Sequence, residues 1–148
     1  MAFRYRLQPI LRLHRSLEHQ EEQRLLALAS VVNQLRSELE TRQRSDLAVR
    51  RAALAEMELF SSGAQLQFRA WCEDLARKRL ELLRAQLSEA ERRRLEQLKV
   101  YQEARQRREI FEGLRHKQED IYHRELLRGE QQAADEAFLM RSLGAQPD

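Results

Sequence analysis

The sequence predicts an all-α fold: an antiparallel two-helix coiled coil, a long α-hairpin whose second helix is the longer. Composition is the first reason. Of 148 residues 34% are charged and 6% aromatic, with only two prolines and four glycines, which is the make-up of a coiled coil rather than of a mixed globular core. The second reason is apolar residues recurring at helical spacing through most of the chain. The third is a single interruption, Phe60-Ser61-Ser62-Gly63-Ala64, where consecutive poor helix formers and a good N-cap residue meet a glycine.

That interruption reads as a corner, and the chain reads as one domain, residues 1–148, arranged around it. The expected parts are an extended segment over 1–8, helix 1 over 9–60, the corner at 61–64, helix 2 over 64–142 and a tail at 143–148. At the rise of an α-helix the arms measure about 78 Å and about 118 Å. A short connection makes consecutive helices antiparallel neighbours, so position i lies beside about 124 − i. Residues 116–142 are then left without an intramolecular partner.

Each part has its own signal. Phe3-Arg4-Tyr5-Arg6-Leu7-Gln8 alternates with period two, which suggests an extended strand-like segment, and Pro9 suits a first helical turn. Leu25, Leu28, Val32, Leu35 and Leu39 step by three and four residues, a heptad seam. Arg42 and Asp46 fall on the same line, and the apolar pattern resumes one residue out of phase at Leu47, Leu54 and Met57. In the second arm Phe68, Trp71, Leu75 and Leu82 form one stripe, and Leu80, Leu83, Leu87 and Ala90 a second. The pattern thins to Leu95, Leu98, Val100, Tyr101 and Ala104, then returns at Ile110, Phe111, Leu114, Ile121 and Tyr122. Gly113 and Gly129 each cost a helix about 1 kcal/mol relative to alanine and bear on whether this arm is continuous. Leu126, Leu127, Ala133, Ala134, Ala137, Phe138 and Met140 put apolar groups on the uncovered stretch, which calls for a partner.

Several function classes are disfavoured. There is no glycine-rich phosphate loop and no nucleophile elbow, so no enzyme and no cofactor is expected. His116, Glu119, Asp120 and His123 share one side of a helix, but no Glu-x-x-His in the first arm answers them, and a solvated charged face is preferred to a metal site. Arg92-Arg93-Arg94 and Arg105-Arg107-Arg108 are dense, yet Glu89, Glu91, Glu96, Glu103 and Glu109 are interleaved with them, so nucleic acid is not an expected partner. Net charge is +3. Cys72 is the single cysteine and suits a reducing compartment as a packed thiol. With no signal-like or membrane-spanning apolar run, a soluble cytoplasmic protein without direct membrane insertion is expected. What remains is interaction through helices, either in a self-associating scaffold or in an adaptor rod that inserts its end into another protein.

The run Phe3-Arg4-Tyr5-Arg6-Leu7-Gln8-Pro9-Ile10-Leu11-Arg12-Leu13, followed by Glu18 and Glu21-Glu22, resembles the start of the flagellar export protein FliJ. Similarity extends to Gly63–Leu87 and to Tyr101–Arg141, where Lys117, Glu119, Glu130-Gln131-Gln132, Asp135-Glu136 and Phe138 match the charged, glutamine-rich C-terminal helix of that family. The resemblance implies a non-catalytic stalk, similar to the rotor stalk of rotary ATPases, in the channel of the FliI-like hexameric export ATPase. It further implies promotion of ring assembly, coupling to the cytoplasmic domain of the export-gate protein FlhA, and escort of export chaperones. The expected location is the cytoplasm, peripherally associated with the inner face of the cell membrane at the flagellar base. Phe3, Tyr5, Leu7, Leu126, Leu127, Phe138 and Met140 are the expected ATPase contacts, and Phe68, Trp71, Leu75 and Leu82 the expected gate contacts. At the gate stripe Lys78 or Arg79 stands where the family tends to a small or aliphatic residue.

Overall fold

The computed structural model describes residues 2–57 and 62–145. They form two helices packed as a hairpin, α1 over Gln8–Met57 and the longer α2 over Gly63–Gly144. Phe60 and Ser61 of the expected corner lie outside the described residues. On its far side the reason for a new helix is visible. Gln65 N–H donates to Ser62 Oγ at 3.3 Å while Ser62 N–H donates to Gln65 Oε1 at 3.1 Å, a capping box that satisfies two otherwise orphaned donors. α2 runs through Gly113 and Gly129 without a break and continues two residues past the expected end. The chain divides into two compact units, residues 1–19 with 103–148, and residues 20–102.

In the unit of residues 20–102 the seam of α1 is withdrawn from solvent at Glu21, Leu25, Leu28, Val32, Leu35 and Leu39, with Val32 fully buried. It continues in phase at seven-residue steps to Asp46 and Ala53. The expected slip is therefore absent: Leu47, Leu54 and Met57 are 50%, 62% and 38% exposed. The physical reason lies opposite them. Arg69, its side chain 23% exposed, donates from its guanidinium to the Ala53 carbonyl at 3.1 Å and to Glu56 at 3.1 Å. A long arginine thus fills the seam where α1 offers small or polar groups, and the heptad line stays facing its partner. On α2 the second expected stripe supplies the seam, with Leu83 and Ala90 buried and Leu80 and Leu87 half-buried. Arg36 with Glu91 at 2.7 Å, and Gln97 with the Glu21 carbonyl at 3.2 Å, fix the antiparallel pairing.

Asp46 is half-buried on this line, with neither a hydrogen bond nor an ion pair among the described residues. Replacing it by leucine, Asp46→Leu, restores an apolar seam position. Urea denaturation is expected to show a stability gain of about 1 kcal/mol, whereas Leu47→Asp, off the seam, is expected to cost well under that.

The unit of residues 1–19 with 103–148 has its own small core. Leu11 is fully buried and Tyr5 is 6% exposed. Tyr5 O–H donates to the Phe111 carbonyl at 3.1 Å, and Gln8 N–H caps back to the Tyr5 carbonyl at 3.2 Å. His14 stacks on Phe111 at 4.7 Å between centroids, and Phe3 meets Tyr122 at 5.6 Å. The apolar pattern thins before this stretch because the seam turns polar: Leu95 and Val100 are 61% and 44% exposed, and Gln97 and Arg108 occupy the heptad line with Tyr101 and Ala104. Arg108 donates to Glu18 at 2.6 Å and also to Glu112, which Arg15 reaches at 3.1 Å.

The hydrogen bond from Arg108, and secondarily that from Arg15, holds the Glu112 carboxyl below the usual carboxylate range against the opposing effect of desolvation. A folded-state pKa below the unfolded one means stability that is present above about pH 4.3 and lost as pH falls through the folded value. Thermal denaturation from pH 6 to 3 is therefore expected to show a falling midpoint, with a shallower fall in Glu112→Gln. Identical slopes would remove Glu112 from the acid response.

Candidate functional site

Among the described residues no polar or charged residue is buried. Among the described residues no three or more His, Cys, Asp or Glu side chains are placed to hold a metal ion, and His116 Nδ1 stands 4.0 Å from Glu119 Oε2 on an exposed helix face. Nor is any helix among them long and apolar enough to cross a membrane. Most of the dense arginines of α2 are held by acids: Arg92 bonds Glu89 and Glu96, Arg93 bonds Glu89, Arg105 bonds Glu109 and Arg108 bonds Glu18 and Glu112. The Arg92 hydrogen bond is the main cause holding the Glu89 carboxyl below its usual range. At exposed i, i+3 and i, i+4 spacing such pairs are worth a few tenths of a kcal/mol each and chiefly stiffen the helix.

Exposed apolar side chains are scattered along both helices, and two stretches of α2 bring several of them together with aromatic rings. The first is the C-terminal part of α2. From His123 to Ala145 every residue is exposed, so this is the stretch that has no intramolecular partner. It begins later than residue 116 because the segment before α1 continues the pairing: Phe3 covers Tyr122, and Glu119 is half-buried. Leu126, Leu127, Phe138 and Met140 are 44%, 63%, 71% and 77% exposed. Leu139 and Leu143, which the sequence reading left out, join them at 56% and 71%. Consecutive helical residues lie about 100° apart, so Phe138, Leu139 and Met140 face three directions. The missed signal was the unbroken triplet itself, which a search for one stripe discards.

Tyr5 stands apart from the other residues at this end. Buried and hydrogen-bonded, it anchors the N-terminal segment and offers almost no surface; Phe3 and Leu7 beside it are half-buried. Its position on the period-two segment gave the aromatic character but not the direction.

The second apolar place is the first turns of α2. Phe68 and Trp71 are 63% and 59% exposed, with their rings 6.0 Å apart, and Leu82 is 60% exposed, while Leu75 is half-buried. The seam uses Leu80 and Leu83, so the stripe of Phe68, Trp71 and Leu82 faces outward. Lys78 pairs with Asp74 at 3.0 Å beside it, and Cys72 is exposed rather than packed. Aromatic side chains exposed to this degree on one helix mark a protein contact more often than a fold requirement.

A family model described as flagellar FliJ protein matches the chain over residues 3–146, which takes in the N-terminal segment, both helices and both apolar surfaces. No curated protein and no solved structure matches it.

Proposed function

The chain belongs to the flagellar FliJ family and so has a role in flagellar export, and within that role we propose that it is a non-enzymatic stalk that inserts into the ring of the export ATPase. One observation carries the reading. The free end of α2 exposes Phe138, Leu139, Met140 and Leu143 over roughly 200° of the helix surface, wider than the single stripe one partner helix covers and suited to contact with more than one neighbour. A second copy of the chain pairing along a single stripe would leave part of that surface in water. On this reading Leu126, Leu127, Phe138 and Met140 are the ATPase contacts, with Phe3 and Leu7 at the edge and Tyr5 holding them in place. Inserting this end promotes ring assembly, and the remainder of the chain couples the ring to the export gate and escorts export chaperones at the inner face of the membrane.

The test is the hydrolysis rate of the cognate export ATPase titrated with this protein. Saturation near one chain per hexamer, with a raised rate or with ring formation, is expected. No change, together with a stable self-dimer in the same buffer, would replace the stalk by a self-associating scaffold.

Coupling to the gate falls to Phe68, Trp71 and Leu82, with Leu75 beneath them. Trp71→Ala is expected to weaken binding of the gate's cytoplasmic domain by about 2 kcal/mol, the size of an aromatic interface anchor, while its exposure keeps the thermal midpoint near the parent value. Undiminished affinity in that variant would move the gate contact elsewhere on the chain.

A further inference from the structure

Sharing only Phe3 and Tyr5 with the proposed ATPase contact, the segment leading into α1 and one turn of α2 enclose an open cleft of about 730 Å³, lined on its charged side by Arg4, Arg6, Arg12 and Arg115. We propose that this cleft binds an acidic segment of a partner protein, with the arginines taking its carboxylates and Phe3 and Pro9 its apolar side chains.

Charge is the first argument. No acidic side chain lines the cleft, and none of the four arginines has an ion pair among the described residues. Several arginines elsewhere are matched, among them Arg15 with Glu112, Arg36 with Glu91, Arg69 with Glu56, Arg77 with Asp74, and Arg108 with Glu18; what sets these four apart is that they surround one space with no acid on its wall. Four like charges around one unneutralised space repel each other and attract an anion. The second argument is position. Arg4, Arg6 and Arg12 cluster at the N-terminus of α1, whose first turn carries no acid. That end of a helix is already positive and disfavours cations, so local stability opposes the arrangement and supplies no reason for it. Third, Arg115 Nε is shut off from water and has no hydrogen-bond acceptor. A donor left in this state is costly, and a carboxylate that drew the guanidinium toward the cleft would end the deficit.

The shape of the site selects a peptide over a small anion. A guanidinium fork accepts one carboxylate or phosphate in bidentate fashion. Four forks around an open cleft exceed what a lone phosphate uses, and no glycine-rich phosphate loop accompanies them. The half-buried Phe3 ring and exposed Pro9 on the same wall suit a chain in which apolar residues stand between the acids.

Fluorescence anisotropy with the full chain tests this, using a fluorescein-labelled peptide of alternating Glu and Leu and its Gln/Leu counterpart. Binding of the acidic peptide only is expected. The combined variant Arg4→Gln, Arg6→Gln, Arg12→Gln, Arg115→Gln is expected to weaken it about tenfold or more, and Arg50→Gln with Arg51→Gln, an exposed pair elsewhere, by less than about twofold. Should the fourfold variant lose its helicity, the wild-type protein decides: the acidic peptide is expected to protect Arg115 from phenylglyoxal, read by mass spectrometry. Equal binding of the Gln/Leu peptide, equal loss in the two arginine variants, or an unprotected Arg115 would overturn the proposal. So would displacement of the peptide by inorganic phosphate or ATP at equimolar concentration, or binding confined to phosphatidylglycerol vesicles. None of these readouts involves the ATPase, so this proposal and the stalk assignment stand or fall separately.

Discussion

Leu11→Ala is expected to destabilise the N-terminal unit by about 2–5 kcal/mol, the range for emptying a fully buried leucine site. Two features place it toward the upper part. Leu11 is completely enclosed, and Leu11 and Tyr5 are the buried apolar side chains of that unit, so few neighbours exist to collapse into the void. The remaining seam there is polar, with His14 stacked on Phe111 and with Glu18, Arg108 and Glu112 held by hydrogen bonds whose net worth is about 1 kcal/mol each. Native-state hydrogen exchange should show lost protection over residues 8–19 and 103–122, while Val32 and its neighbours keep theirs. Leu13→Ala is the control. Leu13 lies two residues away but is 57% exposed, and its loss is expected to fall within about 0.5 kcal/mol. Equal effects of the two substitutions would mean that the enclosure of Leu11 does not hold this unit together.

The second large effect is functional. Substituting Leu126, Leu127, Phe138 and Met140 together by aspartate is expected to abolish stimulation of the export ATPase and leave helicity unchanged. Each side chain is exposed in the free protein, so a charge there displaces no core contact. Inside a ring the same charges would be desolvated without partners, and an unpaired buried charge costs several kcal/mol. Four of them exceed what an interface of ordinary affinity can absorb. Circular dichroism separates this from unfolding. A variant that kept full stimulation with intact helicity would remove the C-terminal part of α2 from the ATPase contact. Loss of stimulation by Tyr5→Ala alone would mean something different, since Tyr5 is a buried support and its loss frees the whole N-terminal segment.

Individual elements show which kind of information each required. The two helices, their antiparallel pairing and the greater length of the second follow from composition, periodicity and one interruption, all of them local properties. The free apolar end followed from the same arithmetic. Its start did not, because period two at Phe3 and Tyr5 gives an extended backbone but not which alternate residues turn inward; contact with Phe111 and Tyr122 decides that.

The seam was misplaced wherever it is polar. A reading that searches for leucines moves to Leu47 and Leu54 when Asp46 and Ala53 occupy the line, and finds only a thinned pattern from Leu95 to Ala104, where Gln97 and Arg108 share the line with Tyr101 and Ala104. In the folded chain Gln97 and Arg108 are acceptable at the interface because the other helix supplies their partners, Glu21 and Glu18, and Arg69 fills the space beside Ala53, while Asp46 is left without one. Hydrogen bonds between residues 76 or 90 positions apart leave no trace in local periodicity. The same holds for the choice between the two stripes of α2, equal in sequence, of which packing buries Leu83 and leaves Trp71 in solvent. By itself, then, the sequence determined that this chain is a pair of antiparallel helices with an uncovered end and a family resemblance that starts at its N-terminal motif. Only tertiary structure decided which face is core and which is free, because burial is a property of the pair of helices and not of either one.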